Sequence, residues 1–492
     1  MRYCIRNDLN AKVNRQNYAI NSFGGIDANK DENSLPLTYA SYGYNIAMNN
    51  GVLTNSIGIT TAKINEEEIP SAGVYGKKIL KIFLYYRYDY VLGQRDDRII
   101  ALLSDKKVYQ ARITDQIFSI TEMNMESVNV TFLNYHYNNK DCLLAFSDAG
   151  KMYIYDGTTV TNVNSAPRLN SACIHGGRVY GTMNVGNNRL YFSDDLNPAN
   201  WNVSITEGGY ISFPDEGGKV MKVLSFKNNL YVFREYCIHR LSVYSDKSDY
   251  SMNKVFVTNN LIYDKTVVIC NNEIVFLSAD GFYKFDGYTC TKILREIDPL
   301  ISEKTYSTAC FFNNKYYLAT SLIRDEIIVG DEGTTLKNNG IIIFDFDLNT
   351  VEIFRGADVL DFVPLNLDYA NKLLVIFNNL LRSYGVGMVD DSGTLYGVAL
   401  PKKWRSPYTD LNYLNKDKVL RRIYINCDSP AVFKVKLDKD YNYNLYSLDK
   451  AQTVIVNKKT DKIGLEITTN ADKFCIRGAI LEFDVIKRSI YD

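Results

Sequence analysis

The fold is decided by short stretches such as FLSADGFYKFDGYTC, which runs from Phe276 to Cys290. An apolar run ends in Asp-Gly, aromatic residues then alternate with other residues, and a second Asp-Gly follows. Asp-Gly favours tight turns between antiparallel strands because glycine tolerates a positive φ. The stretch LLAFSDAGKMYIYDGTTV, from Leu143 to Val160, repeats the pattern. We therefore predict hairpin turns at Gly281, Gly287 and Gly157.

Similar units recur along the chain at intervals of about 40 residues. Each holds short apolar strands separated by turn-forming pairs, as in CFFNNKYYLAT (Cys310 to Thr320), SFKNNLYVFR and VICNNEIVFLS. A repeat of this length with up to four strands is typical of a β-propeller blade, whereas the rungs of a β-helix would be shorter. The sequence predicts an all-β protein with a propeller of six or seven blades over residues 77–401.

Two flanking regions do not follow the repeat. Residues 1–76 read as extended segments and turns, with too few long apolar runs to build a core of their own. We expect them to complete other parts of the fold or to pack across a subunit boundary, and residues 77–492 to fold without them. After Pro401 the strands become longer and alternate polar with apolar residues, which predicts an antiparallel β-sandwich over residues 402–492.

Composition narrows the functional classes. The 38 Tyr and 23 Phe favour strands, and 56 basic against 56 acidic residues give no general argument for nucleic-acid or membrane binding. The nine cysteines include no Cys-x-x-Cys pair, which favours buried reduced thiols over disulfides or zinc. No signal-like or membrane-length apolar segment is visible. We expect synthesis in a cytoplasm and no membrane span.

The titratable residues form no recognisable catalytic or metal-binding motif, so we predict no enzyme activity, metal site or cofactor. The acid pairs Asp194–Asp195 and Asp215–Glu216 are more simply placed in turns, because adjacent residues in a strand point to opposite faces. The three histidines lie in separate strand-like runs and are expected to be structural; they are His136, His175 and His239.

Four stretches, taken in order, carry a family resemblance. They are NSFGGIDANKDENSLPLTYASYGYNIAMNNGVLTNSIGIT from Asn21, NRLYFSDDLNPANW from Asn188, VLSFKNNLYVFREYCIHRLS followed by NEIVFLSADGFYKFDG from Val223, and KKWRSPYTDL from Lys402. Together they resemble bacteriophage tail proteins of the propeller-bearing nozzle, or tail-tubular, type. The front blades match this family little, and the C-terminal region matches it in pattern only.

The resemblance implies a structural protein that is made in the host cytoplasm and carried in the tail of the virion. The implied partners are copies of itself in a ring, with six as one option, and other tail or portal-adaptor proteins. Viral DNA would pass through without sequence-specific binding. Within the resembling stretches, Phe23, Gly24, Gly25 and Trp404 are candidate interface residues.

Two other classes of function stay open. One is a tail adhesin that binds host-surface glycans through aromatic loops, since the rings of Tyr85, Tyr86, Tyr88 and Tyr90 in LYYRYDY could stack on sugars. The same tyrosines also suit ordinary strand positions. The other is a propeller glycosidase, which would need two carboxylates that face one another.

Overall fold

The chain divides into two compact units. The first comprises Met1–Gly58, Ile343–Arg355 and Asp390–Asp492, and the second comprises Ile59–Ile342 and Gly356–Val389. The computed structural model describes residues 14–31, 34–64, 67–69, 74–114, 117–183, 188–203, 208–243, 250–323, 337–367, 370–378, 385–414, 416–428, 430–437, 444–448 and 450–486. Among these residues there are strands and two 3-10 helices, Asp264–Thr266 and Asp298–Leu300, but no α-helix.

Seven successive sheets, which we number blades 1 to 7, make up the repeat region. Their strands, from first to fourth, are Ile79–Tyr85, Arg98–Leu103, Lys107–Arg112 and Ser119–Asn124 in blade 1; Val130–Tyr137, Lys140–Ser147, Met152–Tyr155 and Val160–Val163 in blade 2; and Ser171–His175, Arg178–Thr182, Arg189–Phe192 and Gly209–Ser212 in blade 3. Blade 4 has Val220–Phe226, Asn229–Arg234, Cys237–Ser242 and Ser251–Val257; blade 5 has Val268–Cys270, Glu273–Ser278, Gly281–Phe285 and Cys290–Ile293; blade 6 has Ile301–Phe312, Lys315–Leu322, Gly340–Asp345 and Thr350–Arg355.

Blade 7 is closed by a strand from the other end of the sequence. Its first three strands are Asp358–Leu367, Ala370–Asn378 and Gly385–Asp390, and its fourth is Gly58–Thr61. All seven blades contribute residues from, or directly before, their first strands to the lining of one cavity of about 370 Å³. Four-stranded sheets arranged around a shared channel are the architecture of a β-propeller. The predicted all-β propeller is therefore confirmed, with seven blades.

The hairpin between the first and second strands is a two-residue loop in blades 2 to 6, as the strand pairings show. In blade 2, Asn138 and Asn139 have φ values of 52° and 57°. Asn313 and Asn314 repeat this in blade 6 with 46° and 57°. Two consecutive positive φ values match the twist of the flanking strands, which explains the Asn-Asn pairs.

The Asp-Gly turns serve later hairpins of the blades. Gly157 and Gly287 have φ values of +93° and +105°, between the third and fourth strands of blades 2 and 5. In blade 5, Asp286 Oδ1 accepts hydrogen bonds from the backbone N–H groups of Tyr288 and Thr289, both at 2.8 Å. Gly281, with a φ of +131°, follows the turn between the second and third strands.

The first unit contains two sheets, which form the β-sandwich. One sheet has the order Ile46–Asn49, Val52–Asn55, Cys475–Ile486, Asp417–Cys427 and Gln452–Thr460, with Asn14–Ile20 also paired to Cys475–Ile486. The other has the order Tyr42–Tyr44, Lys402–Arg405, Ile463–Thr469, Ala431–Leu437 and Asn444–Leu448. Short paired strands elsewhere are Lys63–Ile64 with Glu67–Glu68 and Tyr88–Asp89 with Gln94–Arg95. Thr394–Leu395 and Val398–Ala399 extend the sheet of blade 7 beyond Gly58–Thr61.

The predicted boundaries at residues 76 and 401 do not coincide with those of the two units. Strands between residues 14 and 55 belong to the sandwich, and Gly58–Thr61 completes blade 7. Ala62 and Ile64 then pack into a buried core with side chains of blades 1 and 7. The N-terminal region thus completes both units, and the expectation that residues 77–492 fold without it conflicts with this closure.

Candidate functional site

Blade 1 differs from blades 2 to 6 in the connection between its first and second strands. In place of a two-residue turn, residues 86–97 form a projecting hairpin that contains the paired strands Tyr88–Asp89 and Gln94–Arg95. Its tip exposes three apolar side chains, Tyr90 by 57%, Val91 by 94% and Leu92 by 66%. Exposed apolar side chains in one patch commonly mark an interaction site.

Internal bonds fix the shape of this hairpin. The Arg87 guanidinium forms ion pairs with Asp89, at 3.3 Å, and with Asp96, and its Nε donates to the backbone oxygen of Asp156 at 3.2 Å. Asp89 Oδ1 accepts hydrogen bonds from the backbone of Leu92 and Val91, and these bonds lower the pKa of the Asp89 carboxyl. A hairpin held in this way loses little conformational entropy when it binds.

A pocket of about 380 Å³ lies at the base of the hairpin. It is lined by Tyr86 and Tyr88, together with His136 and Asp141 from blade 2. His136 Nδ1 lies 2.9 Å from Asp141 Oδ1, and the backbone N–H of Tyr88 donates to Asp141 Oδ2 at 2.9 Å. Ligand pockets commonly have volumes of about 300–1,000 Å³. The aromatic faces and polar groups of this pocket suit a small polar ligand such as a sugar.

The four tyrosines of LYYRYDY have different environments. Tyr85 is buried, and its hydroxyl donates to the backbone oxygen of Asp141 at 2.5 Å. Tyr86, Tyr88 and Tyr90 are exposed by 37%, 42% and 57%. Only Tyr85 has the environment of an ordinary strand aromatic, and the other three rings are open to solvent.

A second cluster, which the sequence patterns did not reveal, lies in blade 4. Asp215, Cys237 and His239 bring one potential metal-ligand atom each to within 4.8 Å of one another. However, the Asp215 carboxylate forms ion pairs with Arg234, which is fully buried, and with Lys254. A metal ion here would face these two cations, so the arrangement fits a buried ion-pair cluster better than a metal site.

Burial determines the protonation of the other two members of this cluster. It raises the pKa of the Cys237 thiol and lowers the pKa of the His239 imidazole. Both groups are therefore neutral near pH 7, and Cys237 lacks the thiolate that a nucleophile needs. The residues Cys237 and His239 share one face of a strand, but Asp215 comes from a preceding loop, which is why no local motif marks them.

The three histidines lie in different blades and do not meet. The His175 Nδ1 atom lies 2.8 Å from the hydroxyl oxygen of Ser225, His136 pairs with Asp141, and His239 belongs to the blade 4 cluster. None of the three is among the residues that line the central cavity.

The acid pairs occupy turns and ion pairs. The Asp194 side chain accepts a hydrogen bond from the backbone N–H of Gly208 at 2.5 Å, within the loop that follows the third strand of blade 3. The Asp215 carboxylate forms ion pairs with Arg234 and Lys254. One acid of each pair thus has a structural partner.

The predicted interface residues need a correction. Phe23 and Trp404 are only 4% and 1% exposed, and their rings pack edge to face in the sandwich unit, with centroids 5.2 Å apart. Their side chains are core, so the interface prediction is wrong for these two residues. Gly24 lies under the Tyr39 ring, which a Cβ would approach to 3.2 Å, whereas a Cβ on Gly25 would meet open space.

Comparisons with known proteins find distant structural neighbours and no family. The sequence matches no protein family and no curated protein. The structure is similar to that of YCF48 bound to D1 peptide, with 8% identity and a TM-score of 0.40 over 67% of this chain and 97% of that chain. It is also similar to BBS1N in complex with ARL6DN, with 9% identity and a TM-score of 0.41 over 68% and 98%. Both are propeller proteins.

No helix in the described part of the chain is long and apolar enough to cross a membrane.

Proposed function

We propose that the protein is a structural component of a bacteriophage tail, of the nozzle or tail-tubular type. In this role it forms a ring or conduit for DNA with copies of itself and binds neighbouring tail or portal-adaptor proteins. It is carried in the virion after synthesis in the host cytoplasm, and its contribution is geometric, without catalysis. The support comes from the sequence resemblance and from where the resembling stretches lie.

The observation that carries the proposal is the meeting of the first and last resembling stretches. Tyr42–Tyr44 pairs with Lys402–Arg405 in one sheet, and the Phe23 ring packs on the Trp404 ring. The backbone N–H of Ser41 donates to the oxygen of Arg405 at 2.9 Å. Two short motifs far apart in sequence thus build one core, which supports reading them as parts of one inherited architecture.

The termini of the described chain support a structural role in the same unit. Asn14–Ile20 pairs along its whole length with Cys475–Ile486, from Asn14 opposite Val485 to Ile20 opposite Ala479. Segments from both ends of the sequence therefore share one sheet. A structural subunit of a tail needs a stable fold, and this ladder of hydrogen bonds contributes to it.

The experiment is an analysis of purified virions made from the genome that encodes this chain. Quantitative mass spectrometry should find the protein at a fixed number of copies per particle, and a nonsense mutation should give particles with incomplete tails. Supplying the intact protein in trans is the control and should restore the tails. Virions that lack the protein and infect normally would overturn the proposal.

A glycan-binding tail adhesin is a second candidate, favoured by the pocket at the base of the blade 1 hairpin. Its exposed rings, Tyr86 and Tyr88, lie beside the His136–Asp141 pair, which can exchange hydrogen bonds with sugar hydroxyls. On a host-cell adsorption assay, Tyr88→Ala should abolish saturable binding. Tyr288→Ala, which removes a tyrosine exposed by 68% in blade 5, is the matched control. No binding by the parent protein would remove this candidate.

A further inference from the structure

The central channel of the propeller contains five charged side chains that neither proposed function uses. They are Lys81 of blade 1, Lys222 of blade 4, Asp264 and Lys265 directly before blade 5, and Asp361 of blade 7. Over the described ranges, none of the five forms an ion pair within 4.0 Å. Charged side chains that are partly withdrawn from water are normally paired, because loss of hydration is costly.

Two of the lysines are held in the same way. Lys81 Nζ donates to the backbone oxygen of Val130 in blade 2 at 2.7 Å, and Lys222 Nζ donates to that of Val267, beside blade 5, at 2.7 Å. Each lysine thus reaches from a first strand to the next blade. An ammonium group has three N–H donors, so one carbonyl leaves further donors for a ligand in the channel.

Positive side chains outnumber negative ones in the lining of the channel, with three lysines and two aspartates. Burial lowers the pKa of Lys222 to about 8; the carboxylate of Asp264 opposes this shift and the charge of Lys81 adds to it. Burial also lowers the pKa of Lys81, with Asp361 in opposition. The two carboxylates therefore offset only in part the cost of withdrawing the ammonium groups of Lys81 and Lys222 from water.

We propose that the central channel binds a small ligand with a phosphate or carboxylate group and hydroxyl donors. The anionic group lies between Lys81 and Lys222, and the hydroxyl groups donate to Asp264 and Asp361. A channel of about 370 Å³ has the size of a typical ligand pocket, about 300–1,000 Å³. A sugar phosphate is the simplest molecule with both kinds of group. This site is independent of the assignment to a phage tail.

The full-length protein is titrated calorimetrically with ribose 5-phosphate, inorganic phosphate and ribose at matched ionic strength. Ribose 5-phosphate should bind saturably and more tightly than phosphate, and ribose should not bind. Saturable binding of phosphate equal to that of the sugar phosphate would overturn the role of the carboxylates. Equal binding of ribose would overturn the role of the lysines, and no binding of any probe would overturn the site.

Substitutions distinguish binding in the channel from binding on the outer surface. Lys222→Met, which replaces the ammonium group by an unbranched apolar side chain, should weaken binding of ribose 5-phosphate about ten-fold or more. Lys81→Met is the second variant in case Lys222→Met does not fold, and it should weaken binding in the same direction. Lys151→Met, at an exposed lysine in blade 2, is the control and should bind as the parent does. Unchanged affinity in the folded channel variants would overturn the proposal.

Discussion

Gly281 has a φ of +131°, a backbone conformation that residues with a Cβ rarely adopt. It follows the Ala279–Asp280 turn of blade 5, and Ser278 lies opposite it in the sheet. A β-branched side chain here would be strained whatever space surrounds it. We predict that Gly281→Val lowers the free energy of unfolding by about 1–3 kcal/mol, measured by urea denaturation.

The control for this change is Thr291→Val, which places the same side chain at an exposed position in the fourth strand of blade 5. Valine suits an extended strand, so this variant should unfold within about 0.5 kcal/mol of the parent. If both variants behave like the parent, the turn assigned to Gly281 is wrong.

Asp215 provides a pH-dependent prediction at the same scale. Burial alone would raise the pKa of its carboxyl, but hydrogen bonds from Lys254 and Arg234 outweigh this effect and lower the pKa to about 2. The unfolded value is about 3.9. Because the folded pKa is the lower one, the stabilisation is complete well above about pH 4 and is lost as the pH falls towards 2.

Asp215→Asn should therefore lower the free energy of unfolding at pH 7 by about 1–3 kcal/mol, because it leaves the buried Arg234 without its carboxylate. The difference from the parent should shrink as the pH is lowered from about 5 to about 2. Urea denaturation across this range measures it, with Glu122→Gln at an exposed position of blade 1 as the control. A difference that does not change with pH would contradict the ion-pair account.

At the scale of elements, the strand that closes blade 7 has the largest consequence. Ile59 lies in this strand and is fully buried, in contact with Gly387 of the third strand. We predict that Ile59→Ala costs about 2–5 kcal/mol of unfolding free energy, because it removes buried methyl groups and leaves a cavity. Differential scanning calorimetry should show a lower midpoint.

Ile120→Ala, at a position exposed by 53% in the fourth strand of blade 1, is the matched control. It should change the unfolding free energy by less than about 0.5 kcal/mol. A similar small effect at Ile59 would show that Gly58–Thr61 does not contribute to the stability of the propeller.

The hairpins could be predicted from the sequence because turn chemistry is local. Asn313–Asn314 and the Asp286–Gly287 pair carry the signal for positive φ in their own residue types. The closure of blade 7 by Gly58–Thr61 could not be predicted in the same way. The residues of a short strand predict that it joins a sheet, but they do not predict which strand it pairs with. Here the partner strand lies more than 300 residues away in the sequence.

The sites were predictable to different degrees. The run LYYRYDY carries the aromatic signal of the blade 1 surface in its own residue types, whereas the position of His136 beside it depends on the pairing of two blades. The lysines of the channel leave a signal in the sequence. Lys81 in ILKIF and Lys222 in VMKVL each interrupt the apolar first strand of a blade at the same place. A charged residue repeated at one position of two units indicates a shared environment at the channel.

At the scale of the whole molecule, segments that are far apart in the sequence pair with one another to complete the sheets. Residues 14–55 contribute strands to the sandwich, and residues 58–61 complete the propeller. The basic and acidic residues number 56 each, so identical subunits do not repel one another at long range. In the proposed tail role, the contacts between copies of the protein and with neighbouring proteins are then short-range ones, such as those of the blade 1 hairpin.

The most direct test of the tail assignment is an electron cryomicroscopy map of the virion made from the genome that encodes this chain. The account predicts a ring of copies in the tail, with density in each copy for a seven-bladed propeller closed by Gly58–Thr61 and for the sandwich that holds Phe23 against Trp404. A tail whose density accommodates no such propeller, in virions that assemble and infect, would contradict it.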